Sequence, residues 1–183
     1  MNIFVLNEVP QTAARDMCDK HVVKMIVESA QMLSTAHRVL DGEQYTELSA
    51  NNRRIKRWKS PHKLFEEMLY KASFVGHPCT QWVMENNRNY YWLVEHAYEL
   101  CKEYTRRYKK VHKSEDMISL IRFRKPKNIP IADSITPFAQ AMPEEYKNED
   151  AVKAYRAYYL GEKTGFAEWK NSETPSWFKE ALV

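Results

Sequence analysis

The segment that decides the fold is residues 10–40, PQTAARDMCDKHVVKMIVESAQMLSTAHRVL. Its apolar and small side chains recur at steps of three and four residues, which is the spacing of one face of an α-helix. Pro10 suits a first helical turn, and Asp41-Gly42 is a typical helix end. The pattern therefore predicts one long N-terminal helix that packs against the core. The core-facing residues are Cys18, Val22, Met25, Ile26, Ser29, Leu33, Ala36 and Leu40.

A second row of this helix carries polar side chains of five different chemistries. Steps of three and four residues place all of them along one side of the helix. A solvent-exposed face and the wall of a polar site both fit such a row. The variety of side chains favours a polar site, and Arg15, Lys20 and Arg38 already give the helix an exposed side. The row consists of His21, Lys24, Glu28, Gln31 and Thr35.

Length and composition favour a compact all-α helical bundle that forms a single domain, residues 1–183. The chain is 44% hydrophobic, has only 4 glycines and shows almost no strand-type alternation. It has no apolar stretch of about 18 residues and no signal-peptide pattern, so we expect no membrane span and no export. The 3 cysteines, an odd number, are expected to be buried free thiols in a reducing cytoplasm, the host cytoplasm if a phage encodes the protein.

The remaining segments predict further helices joined by ordered loops. Residues 1–6 are an apolar start, either a strand-like tail or a lead-in packed on the core. Residues 43–59 are polar and weakly periodic, which predicts a loop or a poor helix with a turn at Asn51-Asn52. The prolines of residues 122–137 predict an ordered Pro-rich loop near the C-terminal third. Helices are predicted over residues 60–73, 77–108 with Asn86-Asn87 as a candidate break, 115–121, 149–160 and 162–170.

Positive charge is concentrated in three runs, residues 53–59, 106–113 and 122–127, although the net charge is only +4. Aromatic side chains are interleaved with these cations, a combination suited to phosphate contacts and base stacking. The simpler alternative is that the three runs are solvated surfaces without a partner. Glu103 and Arg107, one helical turn apart, are most simply an ion pair on the helix surface. The uneven placement favours an anionic partner such as nucleic acid. The candidate contacts with nucleic acid or phosphate are Lys24, Arg53, Arg54, Arg57, Arg107, Lys109, His112, Lys113 and Arg156.

Several catalytic motifs are absent from the sequence. It contains no phosphate-cradling glycine loop and no Gly-x-Ser-x-Gly, Cys-x-x-Cys or His-Glu-x-x-His pattern. We therefore expect no cofactor and no bound metal. A metal held by His21, Glu28 and another histidine is the less favoured alternative.

Four short segments carry a resemblance to a known family. Asp19-Lys20-His21, followed after six residues by Glu28, resembles the Asp-x-His-x6-Glu segment of the phage pyrimidine-dimer DNA glycosylases, the endonuclease V type. Residues 142–147 (MPEEYK) and 174–179 (TPSWFK) are similar to that family's Pro-Gln-Glu-Phe-Arg and Pro-Thr-Trp-Tyr-Lys segments. Gly76-His77 before a long helix is a further match. The Asp-Lys-His-Val-Val-Lys-Met helix also resembles that of uncharacterised phage and bacterial proteins.

The resemblance implies a compact helical fold, DNA as the ligand, and cleavage of an N-glycosidic bond by hydrolysis or with AP-lyase activity. In that family an N-terminal α-amine attacks the sugar C1′ and a glutamate on the first long helix assists. The resemblance assigns the role of the amine to Met1 and the role of the glutamate to Glu28, with His21 beside Glu28. The family begins Met-Thr, whereas Asn2 disfavours removal of Met1, so either the amine of Met1 serves, or Glu28 activates water, or the substrate differs. The residues expected to line the pocket are Gln31, Thr35, His77, Gln140 and Tyr155.

Three classes of function stay open at the level of sequence. They are a DNA glycosylase acting on a damaged or modified base, an enzyme of the same fold acting on a free nucleotide or nucleotide-derived small molecule, and a non-catalytic nucleic-acid-binding protein. Loss of activity in Glu28→Gln would favour the first class. A salt-insensitive, DNA-independent activity would favour the second. Sensitivity to charge reversal at Arg53, Arg54 and Arg57, without sensitivity to Glu28→Gln, would favour the third.

Overall fold

Helices form most of the regular structure in the computed structural model, which describes residues 1–181. No helix within that range is long and apolar enough to cross a membrane. A short 3₁₀ helix covers Glu144–Tyr146. The strands are β1 (Glu43–Leu48) and β2 (Arg54–Lys59). The helices are α1 (Pro10–Asp16), α2 (Asp19–Asp41), α3 (Lys63–Met68), α4 (Pro78–Glu85), α5 (Asn87–Tyr108), α6 (Glu115–Arg122), α7 (Ala151–Glu162) and α8 (Ser176–Glu180).

Two long helices, α2 and α5, pack against each other at the centre of the core. Helix α1 packs on α5, and α4 packs on both long helices. The predicted core face of α2 is confirmed, because its residues are buried except for the half-buried Leu40. Aromatic side chains supply much of the core volume, with Trp82, Tyr90, Tyr155 and Tyr159 among the largest that are fully buried. Of the predicted all-α bundle, the mainly helical character and a long helix near the N-terminus, α2, are confirmed.

The N-terminal helix is interrupted, so the prediction of one continuous helix from Pro10 is wrong. Helix α1 ends at Asp16 and α2 begins at Asp19, with Met17 and Cys18 in an extended conformation between them. The break leaves a backbone N–H on Cys18, which donates to the Tyr159 hydroxyl at 3.1 Å. Because this acceptor comes from a distant part of the chain, the local sequence gives no sign of the break.

The β1–β2 hairpin corrects the all-α prediction, since this segment is neither a loop nor a poor helix. The strands pair antiparallel, with Glu43 opposite Lys59 and Leu48 opposite Arg54. Most of their residues are exposed, so the sequence lacks the apolar alternation that identifies a half-buried strand. The predicted turn between the strands is confirmed, and Asn52 adopts a left-handed conformation there, with φ 56°.

Helix α3 is shorter than the predicted helix over residues 60–73. It ends at Met68, and the next two carbonyls, of Leu69 and Tyr70, accept hydrogen bonds from the Arg38 guanidinium at 3.0 and 2.7 Å. These carbonyls are therefore satisfied without a further helical turn. A contact made by α2 ends the helix, and the helix's own sequence does not show it.

The predicted break at Asn86-Asn87 is confirmed. The Asn86 side chain accepts hydrogen bonds from the backbone N–H groups of Arg88 and Asn89, at 2.8 and 3.0 Å. Asparagine is among the preferred residues for this N-cap role because its oxygen satisfies donors that lack a helical partner. Helices α4 and α5 therefore meet at a capped break.

The C-terminal third differs from the prediction at two points. Helix α7 begins at Ala151, two residues later than predicted, and its N-cap is Asp150. The predicted helix over residues 162–170 is wrong, because beyond Glu162 that segment is turn and loop. Its backbone is tied to the start of α2, where Glu168 O accepts from the Asp19 N–H at 2.8 Å. The predicted Pro-rich loop that precedes this region is confirmed.

Candidate active site

The N-terminal segment places the Met1 amine beside the carboxylate of Glu28. Met1 N lies 3.6 Å from Glu28 Oε2, and the Asn2 N–H donates to the same oxygen at 2.8 Å. The other oxygen, Oε1, lies 3.4 Å from Lys24 Nζ. The Glu28 side chain is 14% exposed, so it sits at the boundary between core and solvent. A carboxylate, an α-amine and a lysine ammonium group therefore meet at one point.

Asn2 holds this segment in place. Its Nδ2 donates to the Ala141 carbonyl at 2.7 Å, and its Oδ1 accepts from the backbone N–H groups of Ile3 and Phe4 at 2.8 and 3.2 Å. Asparagine favours such short-range turns because its side chain binds the following backbone. The lead-in alternative for residues 1–6 is thereby confirmed, with a turn at its start. Sequence reasoning missed this role, although a polar residue in an apolar, buried run signals fixed partners.

His21 lies under the N-terminal segment as a packed, neutral imidazole. Its ring stacks on Phe4 with centroids 4.4 Å apart and planes at 24°, and its Nδ1 is 2.6 Å from the Tyr159 hydroxyl. Burial lowers the pKa of His21 to about 4, and the positive charges of Lys163 and Lys24 add to this effect. The structure shows His21 in contact with the segment that carries the amine, and it gives no direct contact with Glu28.

His77 and Cys79 form another side of this region. His77 precedes α4, and its Nδ1 accepts from the Cys79 N–H at 3.2 Å. Burial lowers the pKa of His77, the Met1 amine lowers it further, and Glu28 opposes both effects. His77 is therefore within electrostatic reach of the amine–carboxylate pair. Burial raises the pKa of the Cys79 thiol to about 11, which leaves it protonated and unreactive at neutral pH.

Two further predicted pocket residues hold the chain near Ala141. The Tyr155 hydroxyl accepts from the Ala141 N–H at 3.3 Å and donates to the Ala139 carbonyl at 2.7 Å. Gln140 exchanges hydrogen bonds with the backbone of Asn148, at 2.6 and 3.1 Å. Tyr155 therefore supports the same Ala141 that anchors the N-terminal segment. Gln140 is committed to a neighbouring loop.

The polar row of α2 is not a uniform solvated face. Thr35, at its far end, is buried, and its hydroxyl donates to the Ser73 carbonyl at 3.2 Å and accepts from the Ser73 N–H at 3.1 Å. Gln31 is half-buried, while Lys24 is exposed. The two ends of the row are thus buried and bonded to other segments. Its middle, around Glu28, is where the row reaches solvent.

The cations of the hairpin differ in their availability. Arg53 and Arg54 are exposed near the turn. Arg57 is partly buried, and its Nε donates to Glu47 Oε1 at 2.6 Å. Arg53 and Arg54 are therefore free to contact an anion, whereas Arg57 already has a carboxylate partner.

Arg107 is buried, so the prediction that it contacts phosphate from the surface is wrong. Its side chain is 1% exposed, so its pairing with Glu103 is buried and is not the predicted surface ion pair. The guanidinium donates to Glu103 Oε2 at 3.1 Å, Asp19 Oδ1 at 3.0 Å, Met17 O at 2.8 Å and Arg15 O at 2.9 Å. All three of its nitrogens are engaged within the protein. We therefore withdraw Arg107 from the predicted phosphate contacts.

The remaining predicted cations lie on two other surfaces. Lys109 and Lys113 are exposed, while His112 is half-buried and its Nδ1 accepts from the Ser114 N–H at 3.1 Å. The Arg156 Nε donates to a backbone carbonyl in the N-terminal segment at 2.9 Å. The guanidinium of Arg156 also lies 5.1 Å from the centre of the Trp177 ring. The Arg156 side chain is thus engaged within the protein, whereas the two lysines are exposed.

The fold and the site define a mainly helical protein that holds an α-amine against a carboxylate, a pairing suited to nucleophilic chemistry by an amine. A family model described as pyrimidine dimer DNA glycosylase matches residues 1–116, which is more than half of the chain. The chain belongs to this family, and the resemblance predicted from its sequence is confirmed. DNA glycosylase chemistry is therefore its family-level function, with DNA as the substrate polymer.

The matched range contains the amine–carboxylate pair and the hairpin. It also contains two of the segments that suggested the family, the Asp19–Glu28 stretch and Gly76-His77. The segments at residues 142–147 and 174–179 lie beyond it. No curated protein and no solved structure matches the chain.

Proposed function

We propose that this protein excises a damaged base from DNA, with the N-terminal amine as nucleophile and Glu28 as the catalytic carboxylate. The observation that carries the proposal is the pairing of Met1 N with Glu28 Oε2 at 3.6 Å in a member of a DNA glycosylase family. Lys24, whose side chain is 68% exposed, is proposed to contact a phosphate beside the damaged nucleotide.

The proposed reaction uses both partners of the pair. Glu28 accepts a proton from the amine, and the neutral nitrogen attacks C1′ of the damaged nucleotide. The C1′–N bond to the base breaks, its electron pair leaves with the base, and the base takes up a proton. Glu28 passes the proton it accepted to the departing base, so it is a carboxylate again and stabilises the positive charge that develops on the sugar and the attached nitrogen. The sugar ring then opens, with O4′ gaining a proton and the nitrogen losing one, which gives an imine between protein and DNA. Water hydrolyses this imine and frees the amine, either directly or after β-elimination of the 3′ phosphate has cut the strand.

The attacking amine in this proposal belongs either to Met1 or, if Met1 is removed, to Asn2. Met1 N is 3.6 Å from Glu28 Oε2, and Asn2 N is 2.8 Å from the same oxygen. An amine at either residue would therefore lie beside the carboxylate. The mass of the intact protein identifies which residue begins the chain.

The test compares Glu28→Gln with Glu99→Gln, a matched change at a carboxylate that pairs with Lys102 on the surface of α5. Both proteins are incubated with duplexes that carry a thymine dimer or other damaged or modified bases, and base loss is scored as strand breaks after alkali. We expect Glu28→Gln to lose about 100-fold or more in rate, the usual range for removing a proton-transfer group. Glu99→Gln should match the wild type.

Two results would overturn the proposal at different levels. Full activity of Glu28→Gln would remove that residue from the mechanism. Absence of base loss from every duplex with wild-type protein would reject the glycosylase function. Turnover of free nucleotides would then support a small-molecule enzyme, and tight DNA binding without turnover would support a binding protein.

A further inference from the structure

A pocket of about 430 Å³ lies at the end of α2, between the start of α3 and the loop that follows α6. This volume is within the range of small-ligand sites. The polar part of its lining consists of four cations, one imidazole and one carboxylate, so positive charge prevails. The cations are Lys63, Arg124, Lys125 and Lys127, the imidazole belongs to His62, and the carboxylate belongs to Asp41.

The carboxylate in this pocket is already engaged by the backbone. Asp41 Oδ2 accepts from the Lys127 N–H at 2.8 Å, and its Oδ1 accepts from the Asn128 N–H at 2.9 Å. Within residues 1–181, no carboxylate forms an ion pair with the side chains of Arg124, Lys125 or Lys127. The three loop cations therefore lack a counter-charge inside the part of the protein that the structure describes.

Both walls of the pocket are fixed to the last turns of α2. The loop wall is held by its two hydrogen bonds to Asp41. The α3 wall is held by Arg38, three residues earlier, which pairs with Glu66 at 2.6 Å and binds the carbonyls of Leu69 and Tyr70. An ordered backbone thus brings the cations to one concave place, and a concave cluster of like charges concentrates the potential that attracts an anion.

Apolar side chains line the pocket beside the cations. They come from Pro61, Leu64 and Phe65, of which Leu64 is 46% exposed. An exposed apolar side chain between cations suits a ligand that carries both a phosphate and an apolar sugar or base surface. A simple inorganic anion would use the cations alone.

The pocket is separate from the amine–carboxylate pair. Asp41 follows Glu28 by 13 residues on α2, which is about 20 Å along the helix. None of the residues in the proposed reaction lines the pocket. Its loop cations belong to the third basic run of the sequence, residues 122–127, which that reaction does not use.

We propose that this pocket binds the phosphate group of a nucleotide, at a distance from the reaction centre. The guanidinium of Arg124 and the neighbouring ammonium groups pair with the phosphate oxygens, and Leu64 contacts the sugar or base. A nucleotide within a DNA strand and a free nucleotide offer this same chemistry. The inference goes beyond the proposed function, because binding here needs no reaction at Glu28.

The first experiment tests DNA as the source of the phosphate. It uses the double variant Arg124→Ala/Lys127→Ala and an undamaged duplex, so that catalysis plays no part. We expect weaker binding and a salt dependence, the slope of log K against log[salt], that is lower by about 2. Lys102→Ala/Lys147→Ala is the matched control, since it removes two positive charges that already pair with carboxylates on the surface. The control should bind as the wild type does.

The second experiment tests a free nucleotide as the source. Deoxyadenosine monophosphate, thymidine monophosphate and inorganic phosphate are each titrated into the protein without DNA, and the heat of binding is measured. If the source is free, we expect Arg124→Ala/Lys127→Ala to weaken nucleotide binding by about 10-fold or more. Leu64→Ala should weaken nucleotide binding by about 5-fold and leave inorganic phosphate unaffected, because only the nucleotide covers that side chain. Thermal unfolding should show all variants folded.

The outcomes decide the inference independently of the glycosylase function. A lower salt dependence in the double variant assigns the phosphate to DNA, and a selective loss of nucleotide binding assigns it to a free nucleotide. A double variant that matches the control in both experiments overturns the inference, and base loss by the same protein would leave the glycosylase function intact. Inorganic phosphate that binds as tightly as either nucleotide, with no change in the salt dependence, would show a general anion site and overturn the nucleotide assignment.

Discussion

At the scale of single residues, Asn2 changes what the start of the chain means. In the sequence it departs from the Met-Thr beginning that the resemblance implies, and it disfavours removal of Met1. In the structure it is buried, and its side chain makes three hydrogen bonds that direct the Met1 amine to Glu28. Asn2 therefore disfavours removal of Met1 and also holds the amine of a retained Met1 beside Glu28.

This view of the N-terminus predicts the effect of blocking the amine. Residues added before Met1 should reduce the borohydride-trapped protein–DNA adduct by about 100-fold or more, because the attacking nitrogen becomes an amide. The same residues added after the C-terminus should leave trapping unchanged. Adduct yield is read as shifted protein on a denaturing gel. Equal trapping by the blocked protein would point to a lysine, such as Lys24, as the nucleophile.

At the scale of elements, one buried arginine joins the end of α2 to the hairpin and to α3. Arg38 was expected on the exposed side of its helix, yet it is 3% exposed. Its guanidinium pairs with Glu66 Oε2 at 2.6 Å and donates to the Trp58 carbonyl at 2.9 Å, besides the carbonyls beyond α3. Glu66 Oε2 also accepts from the Ser60 N–H at 2.7 Å. This network sets where the hairpin stands relative to α2.

The exposure and pairing of the hairpin cations predict which of them contribute to DNA binding. Replacing Arg53 and Arg54 by alanine should weaken binding and lower the salt dependence, the slope of log K against log[salt], by about 2. Arg57→Ala is the control, because Arg57 already pairs with Glu47. The salt dependence of DNA binding by this variant should equal that of the wild type. Fluorescence anisotropy of a labelled duplex across a salt series measures both. An equal drop with Arg57→Ala would contradict the assignment.

At the scale of the whole molecule, three buried histidines link stability to pH. Burial lowers the pKa of His21 and of His37 to about 4, and that of His96 to about 3. In the unfolded chain the same groups gain protons near pH 6.5. Between that pH and about 4 the unfolded state therefore binds more protons than the native state, and native stability falls as the pH is lowered.

We expect the free energy of unfolding to be highest above pH 6.5 and to decrease toward pH 4, by on the order of 3 kcal/mol for each histidine. His96 is the one to change, because neither ring nitrogen has a hydrogen-bond partner among residues 1–181. His96→Leu should flatten the pH profile and raise stability at pH 5. Urea unfolding monitored by tryptophan fluorescence from pH 8 to pH 4 measures this. An unchanged slope would show that another group governs the acid transition.

Features that depend on neighbouring residues were predicted correctly, whereas features that depend on contacts between distant residues were not. The core face of α2, the break before α5 and the turn of the hairpin were predicted, because their signals lie within a few neighbouring residues. The strands were missed because most of their residues are exposed, so no alternation marks them. Arg38 and Arg107 were misplaced because their partners are distant in sequence, and charge alone does not show that a side chain is buried.

By itself, the sequence determined the two faces of the long helix, the family, and Glu28 as the carboxylate to test. Periodicity and motif spacing are local properties, so they can be read without a fold. The resemblance implied that the start of the chain meets Glu28, and only the tertiary structure supplied the contact that holds it there. That contact joins Asn2 to a residue 26 positions away, and its anchor at Ala141 lies 139 positions from Asn2. Contacts of this length depend on how all the elements pack, and no local pattern encodes them.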